Sequence, residues 1–488
     1  FEPTTALSVL LFVVLAFLSS VYSREERTVN TSLKLVAAST AILFLYQLVR
    51  LFGPTDFLGF NTFSGAYGNL LGKWNDVAIV AGLVVLTAFI SLKGATKKTL
   101  LRSAPFIVVA LFILKVAAFT LVWWVLAIFV LGVIVNDSVQ GKKITFFSKK
   151  SWNLYRTVGS VFVVGILLYI FVNAQSVRLN SQGNLLRPNV YKIVQMLPNY
   201  FGGVPTEVRP GVATSLTILT KEMKAHPVFG AGPNRFVESW VKNRPLDLGK
   251  TPYWATDFNF AIGYFPTLFV TTGILGTLAL IYLLFNIVAS VFKNVLSKKS
   301  TSRTTAITLG AAYLLVFTVL YVPATALLVY FFFAVGYLFS QGGAMNIVIA
   351  KKKSSTYLFL AAILLSAIFF ISIAQVLTKE YLAARYYVQS AVAVSSDKNI
   401  DSADALLKKS IALRPHDVYY RGYAELSALK AQVIASQASA EGQTISDEAR
   451  AAAFEEINVA KKYADMAVAS NPKNYTNYQF AGSIYQID

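Results

Sequence analysis

Apolar runs of membrane-crossing length recur along this chain, and inside lipid only structures that satisfy their own backbone hydrogen bonds are permitted. A helical span takes roughly 17 to 25 mostly apolar residues, and about ten stretches qualify by that measure. They run from about Thr5 to Tyr22, Leu33 to Phe52, Val77 to Leu92, Val158 to Val172, Ala261 to Phe292, Ala306 to Leu320, Pro323 to Phe339 and Tyr357 to Val376. The region Pro105 to Val135 is too long for one helix and reads as two spans meeting near Ala117 to Thr120. The expected fold is therefore all-α, a polytopic helical membrane protein. Residues 1–175 hold about six spans, 176–260 form a large extracytoplasmic loop, 261–377 hold about four spans, and 378–488 are a helical-repeat segment.

Composition agrees, with 55% hydrophobic residues against 14% charged. The net charge of +20 raises nucleic acid as a partner, but its placement argues against that. Lysines and arginines collect in short loops between spans, as the positive-inside rule requires, and not along one amphipathic face. One set of loops holds Arg24 and Arg27, Lys93 to Arg102, Lys142 to Arg156, Lys293 to Arg303, and Lys351 to Lys353. The alternate loops hold almost none, Lys73 being the exception. The basic set reads as cytoplasmic, which puts Phe1, the long loop and the C-terminal segment outside. Its lysines are headgroup anchors and not chemistry.

There is no cysteine, and His226 and His416 are the only imidazoles, so thiolate chemistry and a histidine-rich metal centre are excluded and no cofactor is expected. Lys115, inside an apolar run, is either functional or a snorkelling side chain at a helix end. Trp123 and Trp124 read as packing or lipid-facing residues, Trp240 and Trp254 as headgroup anchors of the loop, and Pro266 and Pro323 as helix starts or kinks. The chain opens on Phe1 and stops just after a repeat-like helix, so further spans upstream and further repeats downstream are expected.

From about Thr378 the pattern becomes alanine-rich and charged. Two stretches, DALLKKSIALRPHDVYYRGYAEL and KYADMAVASNPKNYTNYQFAGSIY, align with Pro415 on Pro472. That puts Ala412 over Ala469, Tyr423 over Phe480 and Ala424 over Ala481. Small residues at close crossings, a proline turn and an aromatic-bearing helix resemble tetratricopeptide repeats, with 432–450 as a polar insertion. Such repeats imply a protein partner.

The long loop is where chemistry is expected. Val212 to Lys224 has helical spacing, with Lys221 and Lys224 near its end, and Pro227 stops it. Gly230 and Gly232 permit a tight turn with backbone N–H groups turned outward, and Asn234 and Arg235 follow. Arg209 precedes the helix. If the helix folds back beside the turn, Arg209 and Arg235 beside N–H donors would make a diphosphate clamp; a Gly-rich turn followed by an arginine is more often a surface turn.

The order Arg209, helix, PVFGAGPNRF, then TTGILG opening a span resembles the O-antigen ligase and O-antigen polymerase superfamily. Its loop arginine, Pro-x-x-Gly-x-Gly-x-x-x-Phe turn and Gly-hydrophobic-hydrophobic-Gly span match at Arg209, Pro227, Gly230, Gly232, Phe236, Gly273 and Gly276. FSGAYGNLLGKWND ahead of the third span looks like that family's Gly/Asn motif.

The resemblance implies metal-independent glycosyl transfer outside the membrane, from a polyprenyl diphosphate-linked glycan donor to a glycan, lipid or protein acceptor. Cations would neutralise the departing diphosphate, Arg209 first and Arg235 second, with Lys221, Lys224, Asn234, Gly230, Gly232 and Tyr264 as substrate contacts. The chain departs from the family at the histidine before the glycine motif, where it reads ATDFNFAIGYFPT. Asp257 or Tyr264 could substitute as base, though an interfacial aspartate more often caps a helix. Two other classes stand beside the enzyme: a transporter, and a non-enzymatic membrane-anchored scaffold displaying its repeats.

Overall fold

The computed structural model describes residues 2–53, 68–92, 97–139, 159–166, 178–179, 185–186, 208–245, 253, 256–297, 300–341, 353–395, 399–440, 446–472 and 474–487. The part of the Gly/Asn motif before Gly68, most of the basic set from Lys93 to Arg156, Trp254, Lys298, Lys299, Lys351 and Lys352 lie outside them. The described residues are helical apart from loops and a two-residue ladder that pairs Arg178 with Leu186 and Leu179 with Leu185. They form two compact units, one up to Gln341 and one from Lys353 to Ile487.

The first unit opens with α1 (Ala6–Tyr22), α2 (Glu26–Phe52), α3 (Trp74–Ser91), α4 (Lys97–Ala117), α5 (Thr120–Val139) and a short α6 (159–166). Helices α7 (Val212–Ala225) and α8 (Phe236–Asn243) follow, then α9 (Tyr264–Leu296), α10 (Ser302–Leu320) and α11 (Thr325–Ser340). Among the described residues, α2, α3, α5, α9 and α10 are long and apolar enough to cross a membrane, and α1, the Ser103–Ala117 part of α4 and α11 are shorter apolar helices. The break expected near Ala117 to Thr120 is present. Ala118 takes a left-handed φ of 50°, which ends α4 before α5 begins. Lys115 lies in the last turn of α4, where its stem can reach an interface.

Helix α3 is the centre of this unit. Val77, Ala78, Ile79, Ala81, Leu86 and Ile90 have no exposed surface, and α3 packs on α4, α5 and α10. Gly82 lets α10 approach: a Cβ there would collide with the Tyr313 hydroxyl, which donates to the Ile79 carbonyl at 3.1 Å. Helix α1 lies along α11, where Phe12 stacks on Phe332 at 5.1 Å and the Ser19 hydroxyl donates to the Phe333 carbonyl at 2.7 Å. The helices alternate in direction, so their ends sort into two groups. At one end Arg303 bonds Glu26 at 2.9 Å, and at the other Tyr264, Tyr321 and Ala324 meet Pro3, Lys73 and Asp76.

Helix α9 is two helices. Gly273, with φ 63° and ψ −162°, breaks it. The part before the break is buried, with Tyr264, Phe265, Thr267, Leu268, Val270 and Thr271 inside the protein. The part after it turns Leu275, Leu278, Tyr282, Phe285 and Phe292 outward. From Ile274 to Leu296 the rise is about 35 Å at about 1.5 Å per residue, enough to cross the hydrocarbon core alone. The outward apolar side chains are those a lipid-facing helix requires, and with the other apolar helices they fit a multi-pass membrane protein.

The second unit begins with α12 (Lys353–Ser395), a single helix of 43 residues. The change of composition at Thr378 is no break, because no proline or glycine stands between Lys353 and Ser395. Helices α13 (Ile400–Leu413), α14 (Asp417–Ala440), α15 (Asp447–Ser470) and α16 (Tyr475–Tyr485) complete it. The two aligned proline turns meet: buried Asp417 accepts from the side-chain amides of Asn471, Asn474 and Asn477 at 3.3, 2.9 and 3.0 Å. Asp404 is a second hub, bonded by Lys408 at 2.8 Å, Lys430 at 2.6 Å and the Tyr423 hydroxyl at 2.8 Å. Burial opposes its ionisation, but those three donors outweigh burial and hold its carboxyl at about 2.

A carboxyl depressed in the folded state stabilises above its unfolded pKa and loses that contribution as pH falls through the folded value. Amide-exchange protection of α13 and α14 is therefore expected to hold from neutral pH to about 4 and to fall between about 4 and 2. Asp404→Asn should lower protection at neutral pH and flatten that acid dependence.

Candidate functional site

Three groups of residues in the first unit gather the side chains that the sequence singles out. The first sits where the linker between α10 and α11, Tyr321 to Ala324, closes one end of the bundle. The Arg209 guanidinium lies 4.1 Å from the centroid of the buried Tyr321 ring and donates to the Val322 carbonyl at 3.4 Å. The Lys73 ammonium is 5.8 Å from the same ring. Both cations gain from the electron-rich face of the ring, and their convergence needs three segments far apart in sequence. Beside them Asp76, with no exposed surface, accepts the N–H of Ala324 at 2.9 Å, placing a carboxylate at the N-terminus of α11. The Tyr264 N–H donates to the Tyr321 carbonyl at 3.0 Å and ties α9 to the same linker.

The second group is the glycine turn, and here one expectation is corrected. The N–H groups around Gly230 and Gly232 do not face outward for a ligand. Ala231 and Gly232 donate to the carbonyls of Val270 and Thr271 at 3.2 and 3.0 Å, and Gly230 donates to His226 at 3.0 Å. In return Ile274 and Leu275 donate to the carbonyls of Pro227 and Val228 at 2.8 and 3.4 Å. The broken helix frees these carbonyls and N–H groups, and the PVFGAG turn supplies the partners that α9 has lost. The two backbones touch. A methyl on Gly230 would sit 2.5 Å from the Val270 carbonyl oxygen, and one on Gly273 would collide with the Gly230 nitrogen. Gly230 (φ 64°) and Gly273 also hold left-handed conformations that favour glycine. The loop motif and the span motif are two halves of one clasp.

The third group is the small loop core of Ile218, Phe236, Trp240, Ala261 and Val270. Trp240 is not a surface anchor. It is buried edge-on to Phe258 at 4.7 Å, and its indole N–H donates to the Thr256 carbonyl at 3.1 Å, so its polar tip is satisfied without headgroups. Asp257 lies 4.0 Å from Arg244 in this region. Buried Ser215 accepts the Ile262 N–H at 3.0 Å and fixes α7 beside the start of α9.

The remaining expected residues scatter. Arg235 does not join Arg209; it heads α8, is half exposed, and faces Glu238 at 3.8 Å. Asn234, at a left-handed φ of 60°, accepts from the Thr4 hydroxyl at 2.9 Å. The buried Tyr264 donates its hydroxyl to the Pro3 carbonyl at 3.3 Å. Lys221 and Lys224 are exposed.

Sequence reasoning missed Lys73, Asp76 and Tyr321, although the solitary lysine in an otherwise uncharged set of loops was a signal. It also missed Glu222, which is 3% exposed and bonded to the His226 Nδ1 at 2.6 Å. Such a pair suits a general base, but α7, with 14 residues, holds it about 20 Å from Arg209 at about 1.5 Å per residue. Among the described residues no three histidine, aspartate or glutamate side chains gather as metal ligands.

Gly273→Ala is expected to cost on the order of 1–3 kcal/mol in backbone strain, and the collision with Gly230 adds to it. Loss of the clasp should lower the melting temperature in detergent and speed tryptic cleavage at Lys224 and Arg235. Gly211→Ala, in open space, should do neither. No protein-family model and no curated protein matches this chain.

Proposed function

We propose that this chain is a membrane glycosyltransferase of the O-antigen ligase and polymerase type. It takes a glycan from a polyprenyl diphosphate carrier and passes it to an acceptor on the outer side of a cytoplasmic membrane, which it crosses about ten times. The observation that carries the reading is the meeting of Arg209 and Lys73, which four of the expected spans separate in sequence, over one buried tyrosine ring.

A departing diphosphate brings negative charge to the bundle end, and fixed cations in a partly desolvated place stabilise it more than mobile cations in water. Arg209 offers a planar fork of donors to phosphate oxygens, and Lys73 a point charge. The Tyr321 ring lies within reach of both. The clasp between Gly230 and Gly273 supports the reading differently: it gives the two glycine motifs of the resemblance a joint physical purpose, anchoring the helix that Arg209 precedes. Asp257 is the base candidate that remains in the loop, at 24% exposure. The second unit, with its paired helices around two proline turns, serves in this reading as a tetratricopeptide-like platform for a protein partner.

Arg209→Ala is expected to lower extracellular glycan transfer about a hundredfold, the usual consequence of removing one transition-state donor, with normal membrane insertion. Lys73→Ala should also reduce transfer, and Arg209→Lys should recover part of it. Unchanged transfer in both alanine variants would remove the cation pair from the mechanism and leave the scaffold reading.

A further inference from the structure

A second feature lies at the opposite end of the bundle from Arg209. Between α2, α3, α4, α10 and α11 is a cavity of about 690 Å³, within the about 300 to 1,000 Å³ typical of small-molecule sites. Its polar mouth is formed by Ser91, Ser103, Ser302 and Arg303, which stand at the ends of α3 and α10 and near the start of α4. Its interior is apolar: Leu83, Val84, Ile107, Leu314 and Phe333 line it, and Gly310 leaves room where a Cβ would press on Leu83 at 3.2 Å. From Ser302 to Leu314 the cavity reaches about 18 Å at about 1.5 Å per residue. One leaflet of a hydrocarbon core about 30 Å thick is about 15 Å deep.

We propose that this cavity holds one acyl chain of an anionic phospholipid from the leaflet at the Arg303 end, with the lipid phosphate at Arg303. The depth fits a chain from a single leaflet. An apolar void surrounded by lipid tails forfeits dispersion contacts that a chain restores. The charge also fits. Arg303 gives one N–H to Glu26 at 2.9 Å, in a pair whose side chains are 40% and 76% exposed, and a guanidinium has further donors for a phosphate. The sequence next to the mouth residues is basic, with Lys97, Lys98 and Arg102 shortly before Ser103 and Lys298 and Lys299 shortly before Ser302, a composition that favours anionic headgroups. The proposal needs only a membrane around the bundle and is independent of glycan transfer.

The test is native mass spectrometry of the full chain, reconstituted in equimolar phosphatidylglycerol and phosphatidylcholine and then extracted into detergent. The wild type should retain one phosphatidylglycerol. Gly310→Leu, and independently Ala88→Phe from the α3 wall, should abolish retention. Arg303→Gln should keep a lipid but lower the preference for phosphatidylglycerol about fivefold, as expected for one basic side chain at a membrane surface. Should Gly310→Leu disturb folding, Ala88→Phe decides alone. Retention unaffected by the cavity-filling variants would overturn the proposal, as would equal retention of both lipids by the wild type. So would finding a polyprenyl phosphate in the cavity in place of phospholipid.

Discussion

A helix interrupted inside a protein leaves carbonyls and N–H groups that neither lipid nor a packed interior will solvate, and the loop of this chain is arranged around one such interruption at Gly273. The PVFGAG turn answers it with donors from Ala231 and Gly232 and acceptors on Pro227 and Val228. Because both surfaces are bare backbone, the approach is closer than side chains permit, and glycine is required on each. The clasp fixes the C-terminal end of α7, and Ser215 fixes its N-terminal part against Ile262. With both ends held, Arg209 is delivered to the bundle end by a short tether.

At that end the contacts are electrostatic. Tyr321 caps α10, receives Arg209 and Lys73 on its ring, and through its carbonyl holds the start of α9. The negative face of an aromatic ring attracts cations through its quadrupole. Asp76, the buried acid of this region, is turned to the Ala324 N–H and anchors α11. Lys73 and Asp76, three positions apart at the same helix start, thus reach two parts of one linker, the Tyr321 ring and the Ala324 N–H.

Much of the architecture was legible because a span announces itself locally. The run from Pro105 to Val135 is too long for one membrane span and carries Lys115 in its middle, which suggested two spans meeting near Ala117 to Thr120, and the break falls at Ala118. The proline turns at Pro415 and Pro472 were visible as an internal repeat, and buried Asp417 joins them. The site was less legible. Arginine, glycine and proline in a polar loop suggested outward N–H donors, but a turn cannot disclose that a broken helix elsewhere will consume them. Trp240 looked like an interfacial anchor because residue type says nothing of the pocket it fills.

The sequence by itself determined that this chain is helical, apolar along its spans and basic in alternate loops, because those properties depend on neighbours within a turn or two of helix. Tertiary structure decided which cations meet, that Gly230 lies against Gly273, and that Tyr321 is the surface on which Lys73 and Arg209 converge. These are contacts between segments separated by whole spans. They depend on how helices of similar apolar character choose their partners, a choice set by bare-backbone fits at glycine and by the satisfaction of buried polar groups, which periodicity does not encode.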